Sequence, residues 1–134
     1  MNDNHHIKYI VMILMLLLSQ ISQAEANKNE NMGAEDYINN CAVCHGVDGK
    51  GNGPQANKLS SRPTDLTLLS KKNGGSFPEI FVYNIIDGRE AGDIHGSEMP
   101  IWGEYFLDIE EEGEEVIDAR ISRILKYVES IQVD

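Results

Sequence analysis

Two cysteines and a histidine within five residues constrain this chain more than any other feature. Cys41, Ala42, Val43, Cys44 and His45 spell C-x-x-C-H, and the 134-residue sequence holds no further cysteine. This spacing is the covalent attachment signature of haem c. The two thiols add to the vinyl groups of the macrocycle, and the histidine ligates its iron. On a helical turn, positions i, i+3 and i+4 share one face, so all three side chains reach the same side of one porphyrin. A thioredoxin-like redox pair would need a βαβ context, and no such pattern follows. A structural zinc site needs four ligands. His45 would be a third, and no cysteine remains to complete the set.

Residues 1–26 read as a secretory signal peptide. Lys8 and the amino terminus make a positive start, Tyr9 to Leu18 is an unbroken apolar run, and small residues precede cleavage sites after Ala24 or Ala26. A spanning helix needs about 20 apolar residues, more than this run supplies, so no permanent membrane span is expected. Export to the periplasm suits a haem that bacteria attach outside the cytoplasmic membrane. Residues 27–134 are then one small domain with a limited core of its own, which a covalently held macrocycle enlarges.

The formal net charge is −11. Nine acids fall between Glu98 and Asp118, with no Lys or Arg among them. Such a surface makes nucleic acid an unsuitable partner. It is either a solubilising face or a patch that steers a basic redox partner.

The apolar pattern is helical throughout, and no alternating strand stands out. Asn27 to Met32 reads as a loose lead-in, and Glu35 to Cys44 as a first helix. Glycines at 46, 49, 51 and 53, followed by Pro54, argue against regular structure up to Pro63. A short helical turn is expected around Asp65 to Leu69. Ser76 and Glu79 have capping-box spacing, and the helix they open should run to about Ile86 and stop at Gly88. Phe77, Ile80, Phe81 and Ile85 are expected to face inward. Arg89 to Trp102 reads as a loop. A last helix spans Glu112 to Ile131, with Ile117, Ile121, Ile124, Val128 and Ile131 forming one apolar stripe.

The occupant of the second axial position decides what a haem protein does. After the signal segment the methionines are Met32 and Met99, and the histidines are His45 and His95. Met32 precedes the first helix and is badly placed. Pro100 pushes Met99 into an extended conformation and stiffens the loop that carries it, so Met99 is the expected ligand. His95 is the rival, and would lower the potential where methionine raises it.

The order C-x-x-C-H, then Gly51-x-Gly53-Pro54, then Met99-Pro100-Ile101-Trp102-Gly103 resembles the class I c-type cytochromes of bacteria, over essentially the whole chain after the signal segment. The resemblance implies an all-α class I cytochrome c fold, with N- and C-terminal helices crossing around one covalently bound haem. It implies His45 and Met99 as the two iron ligands. It also implies a proline whose carbonyl accepts a hydrogen bond from the proximal imidazole, for which Pro54 is the nearest match. It often places the tryptophan at Trp102 near a haem propionate; a core aromatic is the equal alternative. Arg89 is either a propionate partner or an exposed arginine.

The function expected is therefore single-electron transfer between redox partner proteins by a monohaem protein, without enzyme chemistry of its own. A monomeric shuttle in a respiratory chain is one form of it. A haem subunit of an exported oxidoreductase complex is another. A gas-binding sensor or peroxidase would need an open iron position, against which Met99 argues.

Overall fold

The computed structural model describes residues 3–90, 98–109 and 113–133, and every regular element among them is helical. In chain order these are α1 (Asp3–Asn40), α2 (Ala42–His45), α3 (Leu69–Lys72), α4 (Glu79–Asp87), α5 (Trp102–Ile109) and α6 (Glu114–Ser130). Short 3-10 turns lie at Ala56–Lys58 and Leu66–Leu68. The architecture is the all-α one expected.

The crossing of α1 and α6 is the centre of the fold. Gly33 lies against the backbone of Arg123, so closely that a Cβ there would run into the Arg123 carbonyl. One turn on, the carboxylate of Asp36 pairs with Arg120 at 3.0 Å and Arg123 at 3.2 Å. A further residue along, Tyr37 packs against Tyr127 in a tilted ring pair with centroids 4.9 Å apart. The α6 stripe read from the sequence is the core: Ile117, Ile121, Ile124 and Val128 are buried. Ile131, at the helix end, is half-buried.

One expectation about α1 needs correction. Asn27 to Met32 is not a loose lead-in but part of the helix. The helical segment His5–Asn40 is also long and apolar enough to cross a membrane, although its unbroken apolar run is short. Residues 5–32 are exposed throughout, and burial begins at Gly33.

The capping box at Ser76 does not form. Pro78 occupies the N-cap position of α4, its carbonyl accepting from the Val82 amide at 3.0 Å. Glu79 is thus the first helical residue, and its carboxylate pairs across to Lys126 on α6. The α4 face is rotated accordingly: Val82 and Ile86 are buried, while Ile80 is 79% exposed. Phe77 packs against the core from its edge. Gly88 ends the helix as expected, in the left-handed region at φ 75°.

Helix α5 was not foreseen. Trp102 and Phe106 are buried, an i, i+4 pair that seats the helix on the core. The guanidinium of Arg120 lies over the Phe106 ring at 4.2 Å, a favourable cation–π placement.

Candidate functional site

The C-x-x-C-H segment continues α1 almost without interruption. The Cys41 amide bonds to the Tyr37 carbonyl at 2.8 Å, and the Cys41 carbonyl accepts from the amides of Cys44 and His45 at 3.1 and 2.9 Å. The helical turn that places three side chains on one face is therefore present. Gly46, at φ 81°, ends it. Its carbonyl accepts the buried Tyr37 hydroxyl at 2.8 Å.

Cys41, Cys44, His45, Met99 and Trp102 all line one cavity of about 540 Å³. Leu69, Phe81, Ile85 and Ile124 supply apolar wall, and Ser60, Arg62, Thr64 and Glu98 lie along its polar part. Phe81 and Ile85 face this cavity rather than the packed core, and Phe81 is 56% exposed. Trp102 belongs to both the core and the cavity wall, packing on Phe106 at 5.5 Å between ring centroids. Met32 does not line the cavity, and His95 lies outside the described residues.

Pro54 is not where the resemblance put it. It is exposed and is not among the cavity-lining residues. The His45 Nδ1 lies 3.1 Å from the carbonyl oxygen of Thr64 instead. A carbonyl oxygen can only accept, so Nδ1 carries the proton and Nε2 keeps its lone pair. The acceptor follows Pro63, a second proline further from the motif.

Glycines make that contact reachable. Gly53 is pressed against the C-x-x-C-H turn, where a Cβ would stand 2.5 Å from the Ala42 carbonyl oxygen. Gly51 adopts φ 69° and touches the Pro63 carbonyl where a Cβ would sit. Its amide donates to the His45 carbonyl at 2.8 Å. Arg62 ties the same loop down, Nε donating to Gly51 O at 3.2 Å and Nη2 to Lys50 O at 3.1 Å.

Electrostatics agree with the donor set. Burial holds the His45 pKa below its ordinary value, partly opposed by the Thr64 hydrogen bond. A neutral imidazole is the form that binds metal. Burial, then the carboxylate of Asp36 and the neighbouring Cys44, pushes the Cys41 thiol up to about 12. Such a site penalises a thiolate, as a zinc centre would require, and suits a neutral thioether. Among the described residues no cluster of three or more His, Cys, Asp and Glu side chains could hold a metal ion. Arg89 is engaged elsewhere, bonding to Asp87 and to Glu114 across the α4–α6 junction.

These residues fit a haem. The volume lies in the range of about 300–1,000 Å³ usual for small-molecule and cofactor sites. The wall is largely apolar, and two thiols, an imidazole and a thioether open into it. The cytochrome c family model matches residues 31–132, and the chain belongs to the cytochrome c family. It is a haem-based electron carrier. Neither the curated proteins nor the solved structures contain a match to it.

Proposed function

We propose that this chain is a periplasmic monohaem cytochrome c that passes single electrons between redox proteins, with its haem joined to Cys41 and Cys44 and ligated by His45 and Met99. The observation that carries this reading is that all four side chains open into one cavity. The haem supplies the Fe(II)/Fe(III) couple. The chain's own residues set its properties. Thr64 orients the imidazole of His45 and raises its basicity. Met99, as a soft thioether, favours the reduced state and raises the potential. Leu69, Phe81 and Ile85 exclude water, and Arg62 offers a cation to a propionate.

The leader reading is supported by burial. Residues 5–26 are exposed, and cleavage after Ala24 or Ala26 leaves Gly33, Asp36 and Tyr37 to dock on α6. N-terminal sequencing of the exported protein tests it, and an intact Met1 would favour a retained anchor. The acidic stretch from Glu98 to Asp118 supports a basic docking partner. Its association rate should then fall as salt rises.

Two measurements test the reading as a whole. Haem that survives acid–acetone extraction establishes the thioether bonds, and a colourless purified product overturns the proposal. The ferric protein should show the long-wavelength charge-transfer band of sulfur on iron. Carbon monoxide binding at neutral pH without that band would indicate a sensor or peroxidase instead. Recovery of a stable stoichiometric complex with a catalytic chain would make it a haem subunit.

A further inference from the structure

The residue preceding Met99 is fastened to a segment distant in the sequence. The Glu98 carboxylate accepts the Ser60 backbone N–H through both oxygens, at 2.9 Å each. The Ser60 hydroxyl donates to Oε2 at 2.6 Å. These are charge-assisted bonds, the stronger class, and they join positions 38 residues apart. Both residues line the cavity.

The position of this contact gives it a consequence for the iron site. Ser60 lies four residues before Thr64, the residue that holds His45. Glu98 is covalently next to Met99, and Pro100 stiffens Met99 from the other side. The contact therefore joins the segment that orients one axial ligand to the segment that carries the other. An isolated surface carboxylate contributes little. This one has three short bonds to Ser60, and the Ser61 backbone adds to them.

We propose that Glu98 and Ser60 form a latch that positions Met99, setting how firmly its thioether keeps the sixth coordination site against competing ligands. The inference rests on the reading of Met99 as the second axial ligand. Glu98 is a positioning residue. It is not an iron ligand, and acts by fixing the backbone on the N-terminal side of Met99.

The test is an imidazole titration of the ferric holoprotein, followed by loss of the sulfur-to-iron charge-transfer band. Glu98→Ala should bind imidazole about three- to tenfold more tightly than the parent, the scale of losing such hydrogen bonds. Ser60→Ala keeps the two amide contacts and should shift less, in the same direction. Glu98→Gln retains one acceptor oxygen and should fall between the parent and Glu98→Ala; it also serves if the alanine variant fails to fold. Glu104→Gln, on an exposed acid of α5, controls for net charge and should titrate like the parent. An unchanged imidazole affinity in Glu98→Ala and Glu98→Gln, whether or not unfolding midpoints drop, overturns the latch and leaves Met99 ligation standing. A parent protein with no sulfur band overturns Met99 ligation itself, and the latch with it.

Discussion

The Nδ1 atom of His45 sits 3.1 Å from the Thr64 carbonyl, and Gly51 is the wedge that keeps the two together. Gly51 has φ 69°, and a Cβ on it would meet the Pro63 carbonyl. Gly51→Ala therefore displaces the Pro63–Thr64 peptide and forces a non-glycine residue into the left-handed region, a cost of about 1–3 kcal/mol. Lengthening the hydrogen bond makes His45 a poorer donor to iron. Guanidinium unfolding should show the loss of stability, and redox potentiometry a raised potential. A potential equal to the parent's would mean that Thr64 does not tune the ligand.

Met99→Ala should keep the covalent haem, because Cys41 and Cys44 are untouched, and should open the sixth position. The potential should fall, since methionine ligation raises it, and ferrous protein should bind carbon monoxide. Met32 lies outside the cavity, so Met32→Ala should change neither property. An unaltered charge-transfer band in Met99→Ala would assign the sulfur to another residue.

The site was legible wherever side-chain identity carries the chemistry. Cys41, Cys44 and His45 are recognisable from spacing alone, and Met99 from elimination and the proline beside it. The α6 stripe was equally plain, because five residues repeat at helical period. The Thr64 contact was hidden because a backbone carbonyl has no residue signature; Pro54 was preferred by family pattern, while the useful proline was Pro63. The capping box failed for a tertiary reason, since Glu79 finds Lys126 on another helix. Helix α5 escaped because it spans eight residues after a proline-bearing loop, too few for periodicity to stand out, although Trp102 and Phe106 carry the signal. The Ser60–Glu98 pair depends on a contact between distant positions, which no local pattern encodes.

Asp36 is the polar pin of the helix crossing. It serves two guanidinium groups, and its side chain and those of Arg120 and Arg123 are between 14% and 20% exposed. Removing one partner of a buried ion pair leaves the remaining charge uncompensated. Asp36→Ala should therefore cost about 3 kcal/mol, the lower end of the range for buried pairs because these retain some water. The haem spectrum should not change, since Asp36 does not line the cavity; its charge reaches Cys41, so any change of potential should be small and upward. Chemical denaturation beside potentiometry separates the two effects, and a shifted potential at unchanged stability would contradict a purely structural role.

Asp65 gives the fold a defined acid sensitivity. The Thr67 hydroxyl and amide donate to its Oδ1 at 2.6 and 3.0 Å. The side-chain hydrogen bond from Thr67 is the main cause holding this carboxyl below the usual carboxylate range; desolvation opposes it, and the Thr67 backbone bond, Lys72 and Lys50 add to it. A folded-state pKa below the unfolded value means that the contribution to stability is complete above the unfolded pKa of about 3.9. It is lost as pH falls toward and through the lower folded value, because there the unfolded state takes up a proton more readily than the folded state does. Asp65→Asn keeps an oxygen for the N-cap but does not titrate. Denaturant midpoints measured from pH 6 down to pH 3 should therefore fall more steeply for the parent than for Asp65→Asn. Thr67 is buried, and Thr67→Val removes the hydroxyl donor with little change of shape, so it should flatten the same limb in part. Parallel curves for all three proteins would show that the carboxylate gains nothing from its cap.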